Sequence, residues 1–546
     1  SQKHTLIDLS GNGNSLTATA LGSTMGLGSN SLLMSNNATR ANLVVRGNSG
    51  SYGFATRDAT TGVIGQLSGQ TEVATGTFSN VTSNTTNYRF GAGDYTTGAS
   101  LKYQTLTFDS TAGAINLTLS ANHNFNPDGN GRGMLFTGTN NVNLSGAGGA
   151  IAQSSWIHNY LEGADLNISS SFGGTSYLLV GGTGFTNYTG TGLAAGANGE
   201  FVLNGGLFRY APTADVTLAT AAHRINGGVF EIGANLNGGG AIDLDRTIAN
   251  FRLTGDAGFS AHGADREVSL GASVIWGATN FLSNTANEDA DFTFRLSSTR
   301  SNATVDFQSK IDLNGRSRTV EVADGSAAVD ARLSGGLTGT GIASRFVKTG
   351  SGTLELTGPN DYGGTTRVQG GRLLVGGAGL TATTAVHVAN STLGLQSTEV
   401  INNAADITLE NGTITTVGNQ TETMGRLTLI GDNTLDLVGL ANVIRMASSA
   451  GQTWSSSLSI LNWNGSAAGG GPDQFFLGTD ATGVTGDQLT KIFFVNPEVD
   501  GVLRTGTFGA SILNTGEIVA VIPEPSVTFL LAGASLGLVL RRRRAV

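Results

Sequence analysis

A spacing near twenty residues recurs along the chain and limits what it can fold into. Leu354, Leu373, Leu393, Ile414 and Leu435 lie 19, 20, 21 and 21 residues apart. Each follows the same kind of pair: Gly-Thr, Gly-Arg, Ser-Thr, Gly-Thr and Asn-Thr. A second set keeps step, with Val368, Val388, Leu409 and Leu429 spaced by 20, 21 and 20. Around these positions apolar and polar residues alternate, as they do in half-buried strands. Leu354 and Leu356 are expected to face inward on one strand, Thr366 and Val368 on the next, and Leu373 and Val375 at the start of the following round. Turns separate them at Pro359-Asn360-Asp361, Gly363-Gly364 and Gly370-Gly371. A fixed period of this length, with two short strands per round, is a solenoid signature. One round cannot bury its apolar face alone, so rounds must stack.

Composition agrees. Charged residues make up 13% of the chain, against about 25% in ordinary globular proteins. With 39% hydrophobic residues this is not a disordered composition. The 82 glycines and only 7 prolines suit many short strands joined by Gly, Asn, Thr and Ser turns. From residue 1 to about 340 the rhythm continues less regularly. Candidate strands there are Leu43-Val44-Val45, Ile115 to Leu119, Leu166-Asn167-Ile168, Phe201-Val202-Leu203, Val216-Thr217-Leu218, Val229 to Ile232, Phe292-Thr293-Phe294, and the pair Val320 and Val322. No segment carries a sustained 3.6-residue apolar stripe with caps, so long helices are not expected.

Near residue 440 the rhythm changes. Trp454 to Gly465 reads as one longer strand ending in a turn, and Thr485 to Ile492 as one short helix entering Phe493-Phe494-Val495. A solenoid needs an end that hides its last apolar layer. Trp454, Trp463, Phe475, Phe476, Phe493 and Phe494 are therefore expected to be cap core rather than a sugar-stacking platform.

Two stretches resemble known families. Lys348-Thr349-Gly350-Ser351-Gly352-Thr353-Leu354-Glu355-Leu356-Thr357-Gly358, then Asn360-Asp361-Tyr362-Gly363-Gly364-Thr365-Thr366, then Gly371-Arg372-Leu373, resembles the autotransporter-associated β-strand repeat. The resemblance implies a right-handed parallel β-helix exported to a bacterial surface. At the other end, Pro523-Glu524-Pro525 precedes an apolar run from Val527 to Leu540, closed by Arg541, Arg542, Arg543 and Arg544. This layout resembles the PEP-CTERM sorting signal, and residues 441–520 resemble the cap segment found before such tails. The resemblance implies an exosortase-like membrane protease as processing partner. The run of 14 residues spans about 21 Å as a helix, short of a hydrocarbon core of about 30 Å. Snorkelling arginines and local thinning make a transient span workable. Four terminal arginines favour a cytoplasmic C-terminus. An ordinary autotransporter passenger would instead continue into a barrel of amphipathic strands. The chain opens Ser1-Gln2-Lys3-His4, so a secretory leader is expected to be removed already or to lie outside this sequence.

Catalytic and metal-binding patterns are sparse. There is no cysteine, which excludes disulfides and thiolate metal sites. His4, His123, His158, His223, His262 and His387 are isolated, giving no zinc spacing. Asn126-Pro127-Asp128-Gly129-Asn130-Gly131 lacks the terminal Glu of a calcium loop and reads as an Asx-Gly turn. No cofactor is implied. Carboxylates group at Asp243 and Asp245, with Arg246 beside them, and at Glu288, Asp289 and Asp291. Surface β-helices can host polysaccharide lyases and hydrolases, whose chemistry needs such groups converging in a cleft. The alternative is a charged strand edge protected against pairing. The net charge is −9. Without the four terminal arginines, 26 basic residues face 39 acidic ones. That argues against nucleic acid as a partner.

The sequence therefore predicts an all-β, right-handed parallel β-helix over residues 1–440. A β-rich cap is expected at 441–520, and a sorting signal with one short hydrophobic helix at 521–546. The expected function is that of a non-enzymatic, exported structural or adhesion protein. It would pass transiently through the inner membrane on its C-terminal helix, then reach the cell surface or matrix. Extracellular polysaccharide or cell-surface glycan is the candidate ligand. The alternative is a surface-displayed carbohydrate-active enzyme.

Overall fold

The computed structural model describes residues 5–9, 43–57, 61, 63–125, 132–148, 155–171, 178–190, 192–193, 200–218, 222–278, 280–284, 289–439 and 441–523. Two compact units divide the chain, Ser1–Ala378 and Gly379–Val546. Both are parallel β-helices. Among the described residues the one α-helix is Gly486–Leu489, and no helix is long and apolar enough to cross a membrane. The tail from Glu524 onward, with Pro525, Val527, Leu540 and Arg541 to Arg544, lies outside the described residues.

In the first unit each early round contributes two strands. One row runs Asn87–Phe90, Thr105–Asp109, Arg132–Gly138, Ser155–Leu161 and Leu178–Gly182. The other runs Gly76–Phe78, Gly93–Thr97, Ile115–Thr118, Val142–Ser145, Asp165–Ile168 and Phe185–Tyr188. The rows join in the long strands Glu200–Tyr210 and Ala222–Ile232. From Leu244 onward three rows surround the core. The first holds Ala257–Ala261, Phe294–Leu296, Ser317–Val322, Arg345–Thr349 and Thr366–Val368. The second holds Leu244–Asp245, Arg266–Ser269, Val305–Phe307, Ala331–Leu333, Thr353–Leu356 and Arg372–Val375. Ser273–Ile275, Lys310–Asp312 and Leu337–Thr338 make the third.

Parallel in-register stacking places like residues one strand spacing apart, about 4.8 Å. Phe90, Phe108 and Phe136 accordingly stack with centroids 4.8 and 4.7 Å apart and nearly parallel rings. The inward assignments hold: Leu354, Leu356, Thr366, Val368, Leu373 and Val375 are all fully buried. Along the outer face an amide ladder forms, Asn143 to Asn116, Asn167 to Asn143 and Asn187 to Asn167, at 2.7 to 3.1 Å.

Most of the candidate strands are found where expected; two differ. Val216-Thr217-Leu218 makes only one antiparallel bridge, through Thr217 and Asn237. The strand expected from Phe292 starts at Phe294, because the backbone before it is held by side chains. Trp276 Nε1 donates to Phe292 O at 3.2 Å, and Thr293 N donates to Asp256 Oδ1 at 2.8 Å. A small N-terminal sheet follows no solenoid rule. Leu43–Arg46 pairs parallel with Thr5–Asp8 and antiparallel with Tyr52–Arg57. Val44 and Phe54 pack on Leu135 and Tyr160, and Tyr52 stacks on Tyr160 at 4.1 Å. This cover explains why Ser155–Leu161 is buried at every position instead of at alternate ones.

In the second unit, Leu393, Ile414, Leu435, Ile460 and Phe494 stand in one register-matched row. Parallel pairing thus continues beyond residue 440, through Ile492–Val495. The segment read as one strand from Trp454 is two short ones, Leu458–Leu461 and Asn464–Gly465. Antiparallel pairing begins where Val502–Leu503 folds back on Glu498–Val499, and the closing strands are Thr507–Ile512 and Glu517–Ala520. They pair with Ile492–Val495, with each other and with Gln474–Leu477. On these two rows the antiparallel strands cover the parallel edge that could otherwise recruit another chain. The helix expected over Thr485 to Ile492 is the single turn Gly486–Leu489, closed by a capping box: Thr485 Oγ1 accepts from Gln488 N, and Gln488 Oε1 accepts from Thr485 N.

Candidate functional site

The repeat at residues 346–375 is the most specific motif within the described residues, and its polar hallmarks are buried. Lys348 Nζ donates to the carbonyls of Gly350, Gly352 and Gly370, at 2.5 to 2.8 Å. Asn360 Oδ1 accepts from Leu337 N at 3.2 Å, and its Nδ2 donates to Gly358 O at 2.8 Å. The Tyr362 hydroxyl lies 2.6 Å from Thr366 Oγ1. Asp330, one round earlier, accepts from Thr353 N at 2.8 Å and Gly325 N at 2.7 Å. Gly350 sits at φ +78°, and a Cβ there would lie 2.2 Å from Val322 O. Glycine is therefore required both by conformation and by the close approach of the preceding coil. The motif holds coils together; Lys348, Asn360, Tyr362 and Thr366 are at most 1% exposed.

The carboxylates singled out from the sequence are also used structurally. Asp243 pairs with Arg266 at 2.9 Å and accepts from Glu267 N at 3.1 Å. Arg246 turns to carbonyls instead, donating to Leu218 O at 2.7 Å and Asp245 O at 2.8 Å. Asp245 is exposed. The side chains of Asp243 and Arg246 thus have separate partners. Asp289 lies at 2.8 Å from fully buried Arg318 and also pairs with Arg316, while Asp291 stands 3.7 Å from Arg318. Arg318 ties this loop to Trp276 O and Leu313 O. Glu288 and the Asn126 to Gly131 turn lie outside the described residues. Among the described residues no group of three or more His, Cys, Asp or Glu could hold a metal ion.

The C-terminal aromatics are core. Trp454, Trp463, Phe475, Phe476 and Phe494 are buried, and Phe493 is half-buried. Trp454 Nε1 donates to Leu427 O at 2.7 Å, and Arg445 covers Phe476 at 4.0 Å.

Glu422 is a further buried charge in the second unit. Its carboxyl accepts from Val400 N at 2.8 Å and Ile401 N at 2.9 Å. Burial pushes it up to about 7, against the lowering effect of those two donors. The fold therefore keeps this proton to higher pH than the unfolded chain does. The resulting stabilisation is full below pH 4.5 and is lost as pH rises through about 7. Stability of this unit is expected to fall by up to about 3 kcal/mol across that window from this group. Glu422→Gln should remove that slope. Urea midpoints measured from pH 4 to 8 check it; an unchanged slope in the variant would place the titration elsewhere.

Sequence reading missed a groove in the first unit. Four stacked corners floor it: Gly182-Thr183, Asn204-Gly205-Gly206, Asn226-Gly227-Gly228 and Thr254-Gly255-Asp256, with Asn284, Phe292 and Arg295 at its side. Its volume is about 550 Å³. The glycines have a structural cause: a Cβ on Gly228 would lie 2.3 Å from Gly206 O, and one on Gly255 would lie 2.1 Å from Asn226 O. Asn226 Nδ2 donates to Asn204 Oδ1 at 2.9 Å, and Thr254 Oγ1 to Asn226 Oδ1 at 3.2 Å. Asn204 Nδ2 is buried and has no acceptor among the described residues. Arg295 Nη2 stands 3.8 Å from Asp256 Oδ2, while its Nε donates to Glu321 Oε2 at 3.2 Å. The recurring Asn-Gly-Gly at 204–206 and 226–228 was the available signal.

Neither a curated protein nor a solved structure matches the chain. Residues 346–375 match the family model of the passenger-associated-transport repeat. The chain carries an autotransporter-associated repeat built into a parallel β-helix, and that repeat points to an exported or surface protein.

Proposed function

We propose that this chain is a non-enzymatic structural or adhesion protein of the cell surface or extracellular matrix. One observation carries the reading: the buried polar groups of the matched repeat all hold backbone or one another, as parts of the scaffold. The separate partners of Asp243 and Arg246 also weigh against an enzyme. Extracellular polysaccharide or cell-surface glycan is the proposed ligand.

Delivery is proposed to follow the PEP-CTERM resemblance. The run from Val527 to Leu540 holds the exported body in the inner membrane, with Arg541 to Arg544 on the cytoplasmic side. An exosortase-like protease then cuts near Pro523-Glu524-Pro525. The prolines suit that role because they keep the segment extended and deny a helix upstream continuation. Mass spectrometry of surface protein from the native host should find a C-terminus near Pro525 and no peptide from 526–546. Mature surface protein that retains Arg541 to Arg544 would overturn processing. Glu524→Ala should leave uncut precursor in the inner membrane.

A further inference from the structure

We propose that the groove floored by the Asn-Gly-Gly corners of the first unit binds a neutral oligosaccharide. The proposal deepens the surface-adhesion reading and rests on it. The groove's volume of about 550 Å³ falls within the range of about 300–1,000 Å³ for small-ligand sites.

The lining specifies the chemistry. Half-buried Phe292 offers an aromatic wall, against which the apolar C–H face of a sugar ring can pack. Its backbone is fixed by Trp276 Nε1 and its neighbour Thr293 by Asp256, so this wall is anchored. Asp256 and Arg295 stand side by side at 3.8 Å, too far for a direct hydrogen bond. Asp256 Oδ2 can accept from one hydroxyl while an Arg295 Nη donates to its neighbour. A vicinal diol presents such a donor and acceptor together. Exposed Thr183 adds a hydroxyl at the rim.

Charge selects against polyanions. Two carboxylates, Asp256 and Glu321, flank the one Arg295 guanidinium. The chain carries a net charge of −9, which repels acidic polymers at longer range. A peptide adding itself as a strand needs a free sheet edge. Here the corner backbone is already paired between coils, with Leu207 N donating to Gly184 O and Thr254 N to Ile225 O.

Calorimetric titration of the full chain with cellohexaose, xylohexaose, mannohexaose and chitohexaose, beside a hexamer of polygalacturonate, tests this. At least one neutral hexaose should bind, and the uronate should not. Phe292→Ala and Asp256→Asn should each weaken that binding at least tenfold. The exposed-site control Arg367→Ala should leave it unchanged. Circular dichroism and melting curves matching the parent confirm that the variants are folded. Should Phe292→Ala unfold, Asp256→Asn alone decides, because its remaining Oδ1 can still accept from Thr293 N. Binding of the uronate alone, binding unaffected by the folded variants, or no binding of any hexaose overturns the assignment. Tail processing is read separately by mass spectrometry. A correctly processed surface protein that binds no hexaose would overturn the groove assignment and leave the sorting reading standing.

Discussion

Leu373→Asp is expected to destabilise the first unit by about 4 kcal/mol or more. Leu373 is fully buried and stacks in register on Leu354, which stacks in turn on Ala331. The substitution removes most of a buried aliphatic side chain, a loss of about 2–5 kcal/mol by itself. It also sets a carboxylate among apolar neighbours without a partner. In a stacked array each coil depends on its neighbours, so the damage should spread to adjacent coils first. Hydrogen exchange should show lost protection in Arg345–Thr349, Thr353–Leu356 and Arg372–Val375. Arg367→Asp, on the exposed middle position of Thr366–Val368, should change stability by about 0.5 kcal/mol or less. Equal effects from the two variants would mean that the inward row is misassigned.

The contrast between those positions was legible because strand periodicity reports burial directly. Leu354, Leu373, Leu393, Ile414 and Leu435 announced their rows through spacing alone, since a solenoid repeats one environment. Leu374 escaped the same logic. Alternation would turn it outward, yet it is only 4% exposed, and no local pattern marks which outer faces are covered. Leu135 and Tyr160 show the same failure at the other end, where the N-terminal sheet lies over them. Pairing direction was equally hidden. The closing strands Thr507–Ile512 and Glu517–Ala520 are antiparallel, and nothing in their residues marks that direction.

Candidate sites were less legible than the fold. Asp243 and Arg246 are close in sequence, but Asp243 is held by Arg266, 23 residues on, and Arg246 reaches Asn237 and Leu218, 9 and 28 residues back. The groove assembles Asn204, Asn226, Thr254 and Phe292 from successive coils, so no contiguous motif encodes it. Only its glycine corners repeat visibly, and their cause is coil spacing rather than ligand binding. Carboxylates and aromatics acquire a role from what the stack brings beside them.

Lys348 joins motif and stability most closely, and Lys348→Met is expected to cost about 3 kcal/mol at pH 7. Its ammonium bridges two coils by donating to Gly350 O, Gly352 O and Gly370 O. Gly352 O also accepts from Arg372 N, so the other two carbonyls lose most when the amine is removed. A buried carbonyl left unpaired costs about 1–3 kcal/mol. Titration gives a second, signed test. Burial pushes the Lys348 ammonium down to about 8, with Asp330 and Asp324 opposing that fall. Between about pH 8 and 10.5 the unfolded chain then holds more of this proton than the fold, so the lysine's contribution rises with pH. The gap in unfolding free energy from urea titrations between parent and Lys348→Met should therefore widen across that window, by up to about 3 kcal/mol. Below pH 8 it should be flat. A gap that narrows instead would mean that the three carbonyls, which use all three ammonium hydrogens, outweigh desolvation and hold the proton on.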